Sequence, residues 1–414
     1  MAFRFKIIFA LFIVLGFALS AKLAAQEQSK YNFSPAPDLW YNDVDGIRLG
    51  IRVLGEMDDS FKDGPHRLDA GLWLGTWFPK MPVSYYLSFT EPIPAITNYG
   101  NEGSLEAVSL YRAGYTQQML RFKKRWQPGF DELRYLEFRV SLSQEKLTDI
   151  EYRPFPQMWQ SNWKTLLNAD VTKAGFNGLG RYFIESEVLY NLNTTSNSFI
   201  VLKANVTQKI DLGKHFALRL HGFAGHATDN TAPEYLFNLS YGQAQDWLNK
   251  GLSRAKGTIP TSFIESGLFQ LQGGAGLRGY VEQEAKFLKA GNRSAYTSMW
   301  VINSELEFPN PINSAINSIS VIGQLIEFRS YVLFDFGNGF SESPLTPIDP
   351  YGDIFALANA GIGTQFSINI PDYLGKDRGL FIRYDVPFWI SKPTPGSNNF
   401  SYRQIIGIGA IFSF

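Results

Sequence analysis

Four histidines, His66, His215, His221 and His226, are the first residues to consider, because imidazole titrates near neutral pH and is the commonest metal ligand. Each lacks the neighbours that such chemistry requires. The chain contains no His-Glu-x-x-His, no Gly-x-Ser-x-Gly and no phosphate-binding glycine loop with its lysine. Gly273-Gly274-Ala275-Gly276 is rich in glycine but is read as loop with no helix behind it, so it offers no helix N-terminus to a phosphate. His226 with Asp229 is the one pair spaced for hydrolytic acid–base work, and a solvated histidine is the simpler reading of it. Cysteine is absent, which removes thiolate metal sites, cysteine nucleophiles, disulfide scaffolds and a lipidated cysteine. The expectation is a chain with no catalytic residues, no metal and no cofactor.

The elements that hold these residues follow from composition and periodicity. Lys+Arg and Asp+Glu both number 38, so no basic excess exists to draw in a nucleic acid. Aromatics reach 15% with 34 Phe, yet mean hydropathy is −0.13. Many apolar residues without long apolar runs is what a surface alternating between lipid and water requires. Arg4 and Lys6 precede the apolar stretch from Ile7 to Leu19, and small residues follow up to Ala25. That pattern predicts a signal peptide over 1–25, since the apolar core is too short to span a bilayer as a helix.

Period-2 alternation recurs through most of the remaining chain. Leu380, Ile382, Tyr384, Val386, Phe388 and Ile390 share one face, opposite Arg383 and Asp385. Val332, Phe334 and Phe336 oppose Arg329 and Asp335, and Trp300, Ile302, Leu306 and Phe308 oppose Asn303, Glu305 and Glu307. The apolar faces are large and aromatic, and no helical segment is read that could cover them. In lipid, closure of the sheet is what satisfies the edge N–H and C=O groups. The fold predicted is therefore all-β, an antiparallel transmembrane β-barrel.

Thirteen strands are read, over 45–56, 66–80, 81–93, 104–126, 131–147, 178–193, 197–212, 215–227, 295–308, 323–337, 356–370, 379–390 and 401–414. An even number is expected of such barrels, within a range of 12–16, and sixteen would need strands hidden in the Trp-rich stretch 148–177. Residues 26–44, with Pro35 and Pro37, are read as a short periplasmic or plug segment before a barrel over 45–414. The connection 228–294 is far beyond ordinary loop length. Trp73, Trp77, Trp126, Trp300 and Trp389, near strand ends, are read as membrane-interface residues.

Leu277-Arg278-Gly279-Tyr280 lies in that long loop and five of these strands follow it. Here the sequence resembles the BamA/TamA superfamily of outer-membrane assembly and translocation barrels, the bacterial surface antigen family, which carries an Arg-Gly-aromatic tripeptide before its last five strands. The order behind it agrees: Glu305-Leu306-Glu307-Phe308-Pro309, then Leu333-Phe334-Asp335-Phe336-Gly337 with Leu333 where the family has Phe, then Gly361-Ile362-Gly363, then Arg383-Tyr384-Asp385-Val386-Pro387. The resemblance implies a loop folded into the lumen, with Arg278 pairing Asp335 and Glu307 and with Glu305 as substitute. It implies that Gly279 gives a tight turn, that Tyr280 is a wedge and that the C-terminal Phe414 is an assembly signal. The alternation independently sets all three acids on the lumen face. Trp40 to Gly50 resembles the first strand of surface-antigen barrels fused to zinc aminopeptidase domains.

Family members that assemble other barrels carry periplasmic POTRA domains, and this chain has no room for one. The expectation is thus an outer-membrane protein of a Gram-negative bacterium, in contact with outer-membrane lipid. It would assist insertion or translocation of a client protein with a separate periplasmic or surface partner. The alternative reading is a small-solute pore or a structural anchor, and an outer-membrane hydrolase is the remote third. The first and last strands, read as 45–56 and 401–414, would meet at a seam loosened by Gly407 and Gly409.

Overall fold

The computed structural model describes residues 31–57, 67–77, 80–98, 100–131, 133–193, 198–213, 216–271, 276–293, 295–313, 325–340, 356–371, 377–394 and 396–412. The segment 1–25 read as a signal peptide, His66, His215, Gly273, Gly274, Ala275 and Phe414 lie outside them. In chain order the strands are β1 (Tyr31–Asn42), β2 (Gly46–Met57), β3 (Arg67–Gly75), β4 (Val83–Pro92), β5 (Asn101–Arg112), β6 (Tyr115–Trp126), β7 (Tyr135–Leu147), β8 (Lys164–Asn177), β9 (Gly180–Asn191), β10 (Ile200–Asp211) and β11 (Ala217–Ala227). A long connection holds three two-residue strands, β12 (Phe237–Asn238), β13 (Gly242–Gln243) and β14 (Phe269–Gln270), and short helices α1 (Ala244–Trp247), α2 (Thr261–Glu265) and α3 (Val281–Lys289). The chain ends with β15 (Ser298–Phe308), β16 (Ile326–Phe340), β17 (Leu357–Pro371), β18 (Asp377–Ile390) and β19 (Ile405–Phe412).

Seventeen of these strands form one sheet. Sixteen pair antiparallel with their neighbours in chain order, β11 pairing directly with β15, while β14 lies parallel to β19. An even number of antiparallel strands puts the start of β1 and the end of β19 at one end of the sheet. The β11–β15 connection, with the turns after β1, β3, β5 and β7, is at the other. No backbone ladder joins β1 to β19 among the described residues.

Three corrections to the strand reading follow. Within the segment read as periplasmic or plug, Tyr31–Asn42 instead forms a full strand on β2, with Pro35 opposite Val53 and Pro37 opposite Ile51. Trp40 to Gly50 is therefore a hairpin, not one first strand. The stretch 104–126 is two strands, turned at Ala113 (φ 45°) and Gly114 (φ 76°), the two positive dihedrals of a tight hairpin turn. The unread stretch 148–177 contains β8.

The alternation places apolar residues outward. Ile47, Ile51, Leu72, Ile302, Val332, Phe334, Ile362 and Leu380 are all exposed, whereas Glu145, Asn303, Asp335, Asp385 and Arg383 are buried on the opposite face. A water-soluble sandwich has the reverse order. No helix among the described residues is long and apolar enough to cross a membrane. Most of the large fully buried apolar side chains, among them Trp247, Tyr241, Tyr280, Phe237 and Leu277, come from the β11–β15 connection, which packs on the inner face.

Candidate functional site

The connection is a folded body. Trp247 sits among Trp159, Tyr241 and Phe155 at ring separations of 5.9, 6.1 and 6.2 Å. Burying aromatic and aliphatic side chains of this size contributes about 1.5–3 kcal/mol each, enough to hold a polar chain segment off solvent. Glu284 of α3 accepts from the backbone N–H groups of Leu239 (3.1 Å) and Ser240 (2.7 Å), and Leu277 N–H donates to Leu239 O at 2.7 Å. These bonds fix the residue immediately before Arg278. Short helices therefore do exist in this connection, contrary to the sequence reading, but they lie on the inner face and leave the outer apolar face uncovered.

Arg278 is 1% exposed and forms a forked pair with Asp335 of β16, Nε to Oδ2 at 2.8 Å and Nη2 to Oδ1 at 2.6 Å. Its backbone N–H adds a third bond to Asp335 Oδ2 at 3.2 Å, and Nη1 donates to Glu305 Oε1 of β15 at 2.7 Å. Asp385 Oδ2 of β18 lies 3.6 Å from Nη1. Burial opposes the charged guanidinium, but Asp335, then Asp385 and Glu305, outweigh it and hold the Arg278 pKa well above the ordinary arginine value. Breaking such a buried pair by removing one partner costs about 3–5 kcal/mol, because the other charge is left uncompensated.

Glu307 is not a partner of Arg278, which corrects the pairing read from the sequence. The ladder sets Asn303 opposite Asp335. Glu305 stands two residues from that point, about 7 Å along the strand, and Glu307 four, about 13 Å, beyond the reach of a guanidinium anchored on Asp335. Glu307 is engaged by Arg219 and by Arg329 Nη1 (2.5 Å), and Arg329 also holds Glu305 Oε2 at 2.8 Å. Charge alternates along the wall from Arg278 through Glu305, Arg329 and Glu307 to Arg219.

Gly279 has an ordinary φ; what it needs is space. A Cβ there would stand 2.5 Å from Asn359 Cβ and 2.7 Å from Ile390 Cγ2. Ile390 is 0% exposed, although simple alternation puts it outward with Phe388. The register shift at Ala360/Ile362 inserts an extra β18 residue, and this bulge turns Ile390 inward. Tyr280, also 0% exposed, receives Lys392 N–H at 3.2 Å and shares a bond with Ser391 Oγ at 3.0 Å.

Several residues of the site were missed by sequence reasoning. Asn303 Nδ2 bonds Asp335 Oδ1 (2.9 Å) and Gly276 O (2.9 Å), and Asn359 Nδ2 bonds Asp335 Oδ2 (2.9 Å). Tyr331 donates to Asp385 Oδ1 at 2.6 Å, while Arg383 Nε stands 2.8 Å from Oδ2. That last contact is an ion pair without hydrogen-bond alignment, since both atoms lack a bonded partner. The inward parity of Asn303, Tyr331 and Arg383 was available from the alternation; Asn359 needed the register.

The same loop grips both end strands. Lys256 O accepts from Asp43 N–H at 2.8 Å, and Thr258 Oγ1 donates to Tyr41 O (2.9 Å) and accepts from Trp40 Nε1 (3.2 Å). A dozen residues on, Leu268 O accepts from Ile406 N–H at 2.7 Å, and Phe269–Gln270 pair with Ile406–Gly407. Gln270 Oε1 takes Arg383 Nη2 at 2.5 Å. The edge strand on the first side is therefore β1, not 45–56.

The two described histidines bond to neighbours on β15, His221 Nδ1 to Asn303 Oδ1 (3.3 Å) and His226 Nδ1 to Ser298 Oγ (2.8 Å). Among the described residues no group of three or more His, Asp or Glu is placed to hold a metal. Trp77 and Trp126 are exposed, at 57% and 41%, but Trp73 is 3% exposed and faces inward, correcting its reading as an interface residue.

No family model and no curated protein sequence matches this chain. Solved structures do. BamA from Haemophilus ducreyi lacking POTRA domains 1–3 matches with a TM-score of 0.48 and 14% identity, over 93% of this chain and 71% of that one. CdiB from Acinetobacter baumannii matches with a TM-score of 0.40 and 10% identity, over 94% of this chain and 60% of that one, so the chain spans less than two thirds of CdiB. OccK2 from Pseudomonas aeruginosa matches at 0.31 and 9%, over 92% and 95%. Likenesses at this level add no weight to the side-chain geometry.

Proposed function

We propose that this chain is a closed outer-membrane β-barrel of the bacterial surface antigen kind, which assists the insertion or passage of other proteins together with a separate partner. The observation that carries the reading is Arg278 seated on Asp335 and Glu305, with Gly279 and Tyr280 docked on β17 and β18. The lock pins the loop to the inner wall, and the loop in turn holds both end strands. In lipid the free edges of β1 and β19 need partners. A seam bridged by a loop, with no continuous ladder, is where a client strand could enter by adding to an edge.

A small-solute pore is the second reading, favoured by an inner wall of charge pairs such as Arg121–Glu106 (3.0 Å), Arg139–Asp170 (2.6 Å) and Lys203–Glu187 (2.7 Å), which suits a water-filled lumen. Planar-bilayer conductance separates the two. The assembly reading expects low or blocked current in the wild type and larger, unsteady current in Arg278→Ala. Steady small-ion current unaffected by that substitution would leave the pore. A pull-down of the intact protein from native membranes would then identify the partner and the client.

A further inference from the structure

Near the loop end of the inner face, four arginines converge with too little negative charge to match them. Arg48 (β2) and Arg112 (β5) stack on one indole, their Cζ atoms 4.9 and 4.6 Å from the Trp73 ring centre. Trp73 lies across Gly50 and Gly71, where no side chain would fit beneath it. Arg153 and Arg254 approach from the β7–β8 and β11–β15 connections, and Arg153 donates to the carbonyls of Arg254 and Ala113.

The nearby acids are occupied. Asp38 accepts from Trp73 Nε1 at 2.6 Å and Asp45 from Asn42 Nδ2 at 2.9 Å. Arg48 is 7% exposed, yet neither its guanidinium nor that of Arg112 makes a hydrogen bond or an ion pair with any described residue, and Nε of each is sealed from solvent without a partner. An unpaired buried guanidinium is costly, and a planar fork suits a tetrahedral oxyanion better than any neutral group. The pKa of Arg254 agrees with a local excess of positive charge: burial, then the charges of Arg112, Arg48 and Arg153, push it down to about 9.

We propose that Arg48 and Arg112, held on Trp73 and backed by Arg153 and Arg254, bind a doubly charged oxyanion of the phosphate type, either free phosphate or the phosphomonoester of a lipid headgroup. The charge count favours a dianion, since Asp38 and Asp45 are already bonded and the next acids, Asp69 and Asp149, are paired with cations of their own, Arg52 and Lys80, leaving the four guanidiniums in excess. This site is separate from the Arg278 lock and does not depend on the assembly reading.

The test uses the intact purified protein in detergent. Its unfolding midpoint is followed against inorganic phosphate and, separately, short-chain phosphatidic acid, with chloride at matched ionic strength. A saturable rise with either is expected, and which one acts identifies the source. Arg48→Gln and Arg112→Gln should each weaken the apparent affinity on the order of 10-fold, the scale of one charge-assisted hydrogen bond. Lys286→Gln, whose ammonium is exposed and already paired with Glu282 on α3, should leave the affinity unchanged. No saturable rise over chloride in the wild type would overturn the proposal, as would wild-type affinity in Arg112→Gln, the more exposed and more readily tolerated of the two changes.

Discussion

Asp335 is 0% exposed and accepts from five donors: Arg278 N, Nε and Nη2, Asn303 Nδ2 and Asn359 Nδ2. Asparagine has the same shape but only one acceptor oxygen, so its NH2 would face donors on one side or the other. Asp335→Asn should therefore destabilise by about 3–5 kcal/mol, as breaking a buried pair does, despite the isosteric change. Urea titration of the heat-modifiable band on gels would measure it, and a loss below about 1 kcal/mol would mean that the pair is not buried as described. Gly279→Ala tests the neighbouring slot. Overpacking there should cost about 1–3 kcal/mol, and Ile390→Ala in the same chain should recover part of it by removing Cγ2. In a double-mutant cycle the two changes should couple; strict additivity would show that the slot is not tight. The acids were legible as inward residues because alternation assigns a face, whereas the tripeptide, lying in a loop, was legible only through the resemblance it carries. Alternation does not assign height along the strands. Choosing Glu305 over Glu307 needed the β15–β16 register, which depends on the length of the connecting turn, Asn359 needed the β16–β17 register that sets it opposite Asp335, and Ile390 needed a bulge that leaves no mark in the polar–apolar pattern.

At the scale of elements, the loop and the sheet edges form one unit. The segment from Lys256 to Gln270 reaches from β1 to β19. The chain has no cysteine, so an engineered pair reports without background. Gln270→Cys with Gly407→Cys replaces residues directly opposite in the β14–β19 ladder, within the Cα separation a disulfide accepts. Oxidation should form the bond in folded protein, seen as a mobility shift that reductant reverses. If assembly requires the loop to leave β19, oxidised protein should lose that activity and regain it on reduction, while undiminished activity when oxidised would remove the loop from the seam's cycle. The β1 edge was hidden in the sequence by Pro35 and Pro37, which argue against a strand unless the missing N–H groups point away from the ladder. Only an edge strand permits that, and edge position is a property of the whole sheet. The β5–β6 turn was hidden differently: Ala113-Gly114 is a weak turn signal, and the clue was the length of 104–126, about twice what one span needs.

For the whole molecule, the decisive feature is the inverted surface. Phe334 lies near the middle of β16, 46% exposed, while its neighbours Leu333 and Asp335 are both 0% exposed. In a soluble protein a charge at an exposed site away from special features changes stability by no more than about 0.5 kcal/mol. On the lipid face of a barrel near mid-membrane, arginine costs about 2–4 kcal/mol, because it must be drawn out of hydrocarbon or drag water in. Phe334→Arg therefore separates the two environments with one substitution. Folding into phospholipid vesicles, titrated with urea, should show a loss in the larger range, and Ser304→Arg, on the neighbouring strand and outward by the same register, should behave alike. In detergent micelles, where the apolar layer is thin and deformable, the loss should shrink. Equal and small effects in both media would mean that the outward apolar face is covered by something other than lipid.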